Sequence, residues 1–166
     1  MFKNRFPENI KMDLIGKTIV ESGKMYDYNV TYRVYSDNTV YVEGSGTLGF
    51  NLGDFRCDTQ SRGILHHVIV DGSFTEVDDY AFGDWMSLES VLLPPTIETI
   101  KGRAFSDCDN LLYMKLPGTI SNISNFAFMY TGLEEVEFYD NIPVRNYAEQ
   151  YFRSKKIRMI HRGRLL

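Results

Sequence analysis

Several residue types and patterns are scarce in this chain, and each scarcity excludes a class of protein. Only two of the 166 residues are cysteines, Cys57 and Cys108, which is too few for a disulfide framework. No apolar run reaches the roughly 18 residues that a membrane helix needs. The first 16 residues include Lys3, Arg5 and Asp13 and lack the apolar segment of a secretory signal. The sequence therefore predicts a chain that does not insert into membranes. Either it is not exported by the secretory route and is cytoplasmic as it stands, or a leader has been removed, so the compartment stays open at this point.

Recognisable catalytic motifs are also absent from the sequence. It contains no Gly-x-Ser-x-Gly elbow, no Walker loop and no His-Glu-x-x-His. The adjacent His66 and His67 match no established metal-site spacing. We therefore predict no enzymatic activity, no cofactor and no metal. The disfavoured alternative is an enzyme or regulator with its site in the non-repetitive residues 1–63, where no catalytic pair stands out.

What the chain does contain is a repeat of 23 residues. The pairs Ala81-Phe82, Ala104-Phe105 and Ala127-Phe128 follow one another at that interval. Five further sets of apolar residues keep the same spacing: Leu65, Leu88 and Leu111; Val68, Val91 and Met114; Val70, Leu93 and Leu116; Phe74, Ile97 and Ile120; and Val77, Ile100 and Ile123. Self-similarity at a fixed period predicts a solenoid, in which each coil buries its apolar face on its neighbours.

The unit from Leu88 to Asn110 shows how each coil is expected to fold. A short strand points Val91 and Leu93 to one face of the sheet. Pro94-Pro95 ends that strand, because proline cannot donate to a continuing ladder. After a second short extended piece, Arg103-Ala104-Phe105 is predicted to form a single helical turn. The small alanine lets adjacent coils approach closely there, and the phenylalanine fills the middle of the coil.

The segment before the repeats is predicted to cap them. Residues 28–35 and 39–43 are rich in β-branched and aromatic residues and flank a polar turn, which predicts a β-hairpin. We assign the N-terminal cap to residues 17–47 and a connecting loop to 49–63. A cap is needed because the first coil would otherwise expose an apolar face and an unpaired strand edge.

A second cap is predicted after the repeats. Residues 145–154 place aromatic side chains at helical spacing, and 157–160 alternate like a strand. We therefore predict one domain over residues 1–166. It divides into an N-terminal β cap and loop at 1–63, repeats at 64–140, and a C-terminal helix and strand cap at 141–166.

One motif carries a family resemblance: Leu88-x-x-Val91-x-Leu93-Pro94-x-x-Ile97-x-x-Ile100-x-x-x-Ala104-Phe105-x-x-Cys108-x-x-Leu111. It resembles the BspA-type leucine-rich repeat. The resemblance covers residues 64–140 and extends to the hairpin and the closing segment, with departures such as Asp71 where proline is usual. It implies an α/β solenoid, a right-handed coil of mostly short parallel strands with helical turns. It also implies a non-enzymatic interaction module, since similar proteins are often secreted or on bacterial surfaces and are implicated in adhesion or host contact.

Strand alternation also predicts which side chains face outward. They form two columns across the coils, the first holding His67, Ser90, Tyr113 and Glu135, and the second holding Ile69, Leu92, Lys115 and Glu137, with Tyr139 at the end of the last strand. Apolar and aromatic residues inside a charged rim are typical of a protein-contact surface. We predict that an unknown protein or glycan partner, or a second copy, binds here with Tyr113 as the anchor. The alternatives are a merely solvated face and a chain that is a structural piece of a larger assembly.

Charge is distributed unevenly along the chain, and its two cysteines lie far apart in sequence. Residues 1–144 hold 11 Lys/Arg against 21 Asp/Glu, whereas residues 145–166 hold 7 against 1. The basic end lacks the aromatic platform of a nucleic-acid site, so we interpret it as a solvated cap and disfavour nucleic acid as a partner. Cys108 occupies a repeat position and is predicted to be a buried free thiol. A bridge to Cys57 stays open at this point.

Overall fold

The computed structural model describes residues 14–25, 29–49, 65–140, 142–161 and 164–165. Most of the expected loop at 49–63, including Cys57, lies outside the described residues. The described part contains eleven strands and one α-helix. In chain order they are β1 Ile19–Met25, β2 Val30–Tyr35, β3 Thr39–Leu48, β4 His67–Val77, β5 Ser90–Leu92, β6 Thr99–Ile100, β7 Tyr113–Leu116, β8 Asn122–Ile123, β9 Glu135–Phe138, α1 Asn146–Ser154, β10 Arg158–His161 and β11 Arg164–Leu165.

The strands form one open sheet whose main path runs β1-β2-β3-β4-β5-β7-β9-β10-β11. The pairs from β3 to β10 along this path are parallel. The pairs at its two ends, β1 with β2, β2 with β3 and β10 with β11, are antiparallel. From β4 onward each unit advances the sheet by one strand, with register partners 23 residues apart except between β7 and β9, where they are 22 apart.

A corner in β4 lets one strand serve two sides of the coil. Its first half, beginning at His67, pairs with β5, and its last residues, ending at Val77, pair with β6, which in turn pairs with β8. The corner lies at Gly72, where φ is 112°. A Cβ added there would approach the carbonyl oxygen of Gly44 to 2.0 Å. Glycine is therefore required both by the backbone angle and by the close approach of β3.

The segments around the Ala-Phe pairs form hydrogen-bonded turns, which corrects the expected helical turn. Tyr80 and Arg103 adopt left-handed conformations, with φ of 57° and 54°. The backbone N–H of Phe82 donates to the carbonyl of Ala104 at 2.7 Å, and that of Phe105 donates to Ala127 at 2.8 Å. These amides bind the next coil, so they cannot close the bonds of a helix within their own coil.

The phenylalanines of the three pairs stack into a buried column. The ring centroids of Phe82 and Phe105 lie 4.9 Å apart with planes 7° from parallel, and those of Phe105 and Phe128 lie 5.2 Å apart with planes 4° from parallel. Trp85 packs edge-on against Phe82 at 5.4 Å. The repeat therefore places one aromatic ring per coil on a common axis, and Trp85 belongs to the core.

Cys108 lies beside this column, and the prediction of a buried free thiol is confirmed. Its Sγ donates to the carbonyl oxygen of Phe82 at 3.1 Å. Burial raises the pKa of the thiol to about 12. The side chain therefore behaves as a small apolar group that also ties two coils together.

The predicted hairpin is present as β2 and β3, and β1 adds a third strand beyond it. β3 runs parallel to β4 along its whole length, from the pair of Thr39 and His67 to the pair of Leu48 and Val77. Val40 and Val42 are fully buried and belong to the same core as Val68. The first repeat strand is therefore covered on its N-terminal side by the hairpin.

The predicted C-terminal helix and strand are present as α1 and β10. Phe152 packs against Phe128 at 5.8 Å and against Phe138 at 6.2 Å between ring centroids. β10 pairs in parallel with β9. The exposed side of α1 carries an ion pair between Glu149 and Arg153 at 2.6 Å. No helix in the described part of the chain has the length and apolarity needed to span a membrane.

Phe105→Ala should destabilise the fold by about 3–5 kcal/mol, the range for truncating a buried phenylalanine. Phe105 is the central ring of the column, so both stacking partners lose contact. Val20→Ala is the control, since Val20 is 62% exposed and surface changes usually stay within about 0.5 kcal/mol. Urea unfolding of the two variants measures the difference. Equal midpoints would show that the column does not hold the coils together.

Removal of residues 145–166 should make the protein aggregate or melt early. The deletion takes away β10 and α1, which leaves β9 with an open edge and uncovers Phe128 and Phe138. Thermal melting and light scattering measure both effects. Phe152→Ala tests the same contact without opening the sheet and should lower the melting temperature without aggregation. A truncated chain that does not aggregate and keeps the wild-type melting temperature would contradict a stabilising role for this segment.

Candidate interaction surface

The sheet has two faces, and the predicted outward residues share one of them. His67, Ser90, Tyr113 and Glu135 are successive register partners, as are Ile69, Leu92, Lys115 and Glu137. Their neighbours along the strands belong to the main core. The two predicted columns are therefore confirmed as neighbouring rows of side chains, and β10 extends them with Arg158 and Ile160.

The expected exposure of these columns is wrong for four of the residues. Ser90 and Ile69 are buried, Tyr113 is 4% exposed, and Glu135 is 6% exposed. The other predicted residues of the face, His67, Leu92, Lys115, Glu137 and Tyr139, are half-buried. Parallel strands lie only about 4.8 Å apart, so long side chains in one row cover each other. An outward direction therefore did not make Tyr113 an exposed anchor.

The C-terminal half of the outward face is a polar network. The Tyr113 hydroxyl donates to the Glu137 carboxylate, which also lies 3.8 Å from the Lys115 ammonium. Glu135 pairs with Arg158 at 3.1 Å. Burial, and then the bond to Glu137, raise the pKa of Tyr113. This half therefore presents charges that already have partners.

Tyr139 ties the end of the last repeat strand to an earlier coil. Its hydroxyl donates to the carbonyl oxygen of Leu93 at 2.7 Å, two coils away. Burial raises the pKa of this tyrosine. The side chain occupies the position of Pro94 and Pro117 in the earlier repeats. It borders the outward face, and its hydroxyl links the last repeat strand to the coil that contains Leu93.

The N-terminal half of the outward face is apolar, and most of it was missed by the sequence analysis. Tyr35, Tyr41 and Ile69 form a second buried cluster against which Leu14 and Leu92 pack. A depression of about 280 Å³ opens beside this cluster and is lined by Leu14, Ile15, Arg33, Tyr35 and Tyr41. The hairpin therefore contributes more of this site than the repeats do.

Polar contacts fix the tyrosine wall of this depression. The Tyr41 hydroxyl donates to a carboxylate oxygen of Asp71 at 2.6 Å. The Arg33 guanidinium lies 5.8 Å from the centre of the Tyr41 ring and 3.7 Å from the Glu43 carboxylate. The cation–π contact and the ion pair orient Arg33 along the rim. The depression therefore combines an apolar wall with a cationic edge.

A sequence signal for these missed residues does exist. Arg33 is the register partner of Tyr41, and Tyr41 is the partner of Ile69. Alternation along the hairpin places Arg33, Tyr35 and Tyr41 on one face. The repeat pattern begins only at Leu65, so the 23-residue interval carries no information about these hairpin residues.

The adjacent histidines take part in separate contacts. His66 Nδ1 lies 2.9 Å from the Glu89 carboxylate, and His67 Nδ1 lies 2.8 Å from the Ser90 hydroxyl. Within the described residues, no group of three His, Cys, Asp or Glu side chains is arranged to hold a metal ion. Each histidine therefore makes a side-chain contact with the following coil.

The repeat region is similar to a known protein family. Residues 61–163, more than half of the chain, match the family described as "BspA type Leucine rich repeat region (6 copies)". The chain belongs to the BspA-type leucine-rich repeat family. No curated protein matches it.

Two solved structures of bacterial leucine-rich repeat proteins are similar to this BspA-type chain. One, from Eubacterium ventriosum, has 14% sequence identity and a TM-score of 0.48 over 66% of this chain. The other, from Bacteroides ovatus, has 18% identity and a TM-score of 0.43 over 82% of this chain. The BspA-type chain spans 37% of the length of each of these structures.

The free energy of unfolding of this BspA-type chain should decrease as the pH falls, because His67 becomes protonated more readily in the unfolded state than in the folded state. Partial burial lowers the pKa of His67, an effect opposed by the nearby Glu89 carboxylate. A lowered histidine pKa means that the folded state disfavours the proton. The stabilising contribution is therefore present above the ordinary value of 6.5 and is lost as the pH falls through the folded-state pKa.

Thermal melting from about pH 7.5 to about pH 5 brackets the histidine range and measures this effect. His67→Gln keeps a polar group beside Ser90 and should reduce the loss of melting temperature across that range. Every other titratable residue is present in both proteins, so the difference between the two profiles reports on His67. Superimposable profiles would contradict the assignment.

Proposed function

We propose that this protein is a non-enzymatic interaction module that binds a protein partner through the outward face of its parallel strands. The observation that carries the proposal is the apolar depression at the hairpin end of that face, beside Tyr35 and Tyr41. Membership of the leucine-rich repeat family supports a binding role. The predicted residues at Leu92 and Lys115 then form the continuation of the site rather than its centre.

The size and chemistry of the depression favour a side chain as its occupant. Its volume of about 280 Å³ lies below the roughly 300–1,000 Å³ of ordinary small-molecule sites. Tyr35, Tyr41 and Leu14 suit an apolar group, and Arg33 suits a carboxylate at its edge. We infer that an extended or looped segment of the partner inserts one large apolar side chain here and lies toward the polar network.

The polar network supports specificity more than affinity in this proposal. Glu137 already binds Tyr113 and Lys115, and Glu135 already binds Arg158. A partner must match these pairs or leave them undisturbed. Mismatched charges would be desolvated without compensation, and such partners are rejected.

The flanking segments fit the role of caps, and we propose that role for both. β1–β3 cover the first repeat strand, and α1 with β10 covers the last coil. A right-handed coil fits the parallel connections. Rigid ends would keep the outward face in one shape for a partner.

The biological setting we propose is adhesion or host contact at a bacterial surface. It rests on the family resemblance and on an outward face that combines an apolar depression with a charged network. A glycan partner is the competing proposal, since tyrosine rings also stack on sugars.

Selection of a random peptide library on the full chain tests the proposal. Peptides that bind should lose at least about tenfold in affinity with Arg33→Glu or Leu92→Glu, because one change alters the rim of the depression and the other its apolar continuation. Glu98→Lys is the control, because Glu98 is exposed outside the outward face. Selected peptides that tolerate both face variants would contradict the proposal. Binding on a glycan array that is lost with the same variants would favour the glycan.

A further inference from the structure

The turn side of the solenoid forms a continuous edge of four layers. Three layers are the turn segments 78–87, 101–110 and 124–133 of successive coils. The fourth is 145–156, which contains α1. Tyr151 follows Phe128 at the repeat interval of 23 residues, and the two ring centroids lie 6.2 Å apart. The Tyr147 hydroxyl donates to the carbonyl of Ile123 at 2.8 Å. The helix therefore stands where a next turn would stand.

Charge changes steadily along this turn edge. The first layer carries three aspartates, Asp78, Asp79 and Asp84, and no basic residue. The second has two basic and two acidic residues, and the third has neither. The fourth has four basic residues and one acidic, a net charge of +3. The sequence of net charges is thus −3, 0, 0 and +3.

The end charges reach solvent, although some are paired locally. Asp78 binds Lys101 at 3.0 Å, and Arg153 binds Glu149. Asp79 and Asp84 at one end are exposed, as are Lys155 and Lys156 at the other. The opposite charges are separated by three coil spacings, about 14 Å at roughly 4.8 Å per strand. That distance exceeds the Debye length of about 8 Å at physiological salt, so the two ends scarcely neutralise each other within one chain.

Large apolar side chains line the same edge. Of the nine large hydrophobic residues that are exposed in the described part of the chain, five lie here: Tyr80, Met86, Phe126, Tyr130 and Tyr147. Tyr130 is 68% exposed and adopts a left-handed conformation. Arg103 lies over the Tyr80 ring at 5.4 Å. Phe126 and Tyr130 lie in a neutral layer between the charged ends, and the other three lie within the end layers. Exposed apolar side chains among charged ones are typical of an interaction surface.

We propose that the turn edge is a dimer interface that binds the turn edge of a second copy in antiparallel orientation. Reversal of a −3, 0, 0, +3 series produces its own complement, so a two-fold axis pairs each acidic end with a basic end. The same axis brings the neutral middle layers together, with Phe126 and Tyr130 available for apolar contact. A parallel arrangement would set like charges opposite each other. The pairing is isologous and closes at two copies.

The size of the edge suits this role. Twenty-eight of its residues are at least partly exposed, which agrees with the roughly 20–30 residues a side of a standard interface. The turn edge shares no residue with the outward strand face. The dimer would therefore present two outward faces and leave the proposed binding site available.

Sedimentation velocity of the full chain tests the proposal first. The wild type should form a dimer at low salt, and the dimer should weaken at about 1 M salt, where the Debye length falls to about 3 Å. Association should stop at two copies. A chain that stays monomeric up to about 100 µM, above the micromolar constants of the weaker standard interfaces, would overturn the proposal. Growth into longer assemblies would overturn the two-fold arrangement.

Complementary charge variants then test the orientation. Lys155→Glu with Lys156→Glu makes both ends acidic, and Asp79→Lys with Asp84→Asn removes the acidic end. Asparagine keeps the preference for the left-handed conformation at residue 84. The first variant alone should weaken its dimer by more than about a hundredfold, because two acidic ends then meet. The second alone should also weaken its dimer, but less, because a neutral end replaces the acidic partner of each basic end. An equal mixture should associate more tightly than either variant alone, since the −3 end of the first meets the +3 end of the second. Failure of the mixture to associate would overturn the pairing.

Two further variants test whether a change in dimerisation comes from the turn edge itself, and not from net charge or from loss of folding. Glu98→Lys with Glu43→Gln changes the net charge by the same amount as the Asp79 and Asp84 pair but lies off the edge, and it should stay dimeric. Phe126→Ser should weaken dimerisation at least about tenfold while leaving the thermal melting of the monomer unchanged. A monomeric Glu98 and Glu43 variant, or a Phe126 variant with wild-type association, would overturn the assignment of this edge.

Discussion

The stacking of one coil on the next is the interaction on which the rest of the structure depends. Phe105 lies between Phe82 and Phe128 with nearly parallel rings, and backbone amides beside them donate from each coil to the following one. A coil cannot bury its phenylalanine alone, so stability is shared between neighbours. The two ends of the array have one neighbour fewer. At these ends β3 of the hairpin pairs with β4, and Phe152 of α1 packs against Phe128.

Much of the fold could be predicted because each coil repeats the same residues in the same places. The column of phenylalanines, the strand register and the inward valines follow directly from the 23-residue interval. The turn at Arg103-Ala104-Phe105 could not be predicted in the same way. Its conformation depends on where the amide of Phe105 finds a carbonyl, and that carbonyl belongs to Ala127 in another coil. Local propensity does not contain this information.

The candidate surface was less predictable than the fold. The alternation of residues along a strand predicts which face a side chain lies on. Its exposure to solvent also depends on how long the side chains on the neighbouring strands are. Tyr113 points outward and is nevertheless buried, since it stands between Ser90 and Glu135 in its row and its hydroxyl binds Glu137. Tyr35 and Tyr41 escaped notice because they belong to the hairpin, which has no repeat signature. The most distinctive part of the face therefore comes from the least regular part of the chain.

The pairing of β3 with β4 bears on how the length of such arrays is counted. β3 follows β4 around both sides of its corner, with a left-handed glycine of its own at Gly46, where φ is 85°. Val40 and Val42 occupy the core rows that Val68 and Val70 occupy in the next layer. The solenoid is thus one layer taller in space than its repeats are in sequence. A chain that gained or lost a whole 23-residue unit would therefore keep the same first layer, and with it the wall that Tyr35 and Tyr41 form beside the depression.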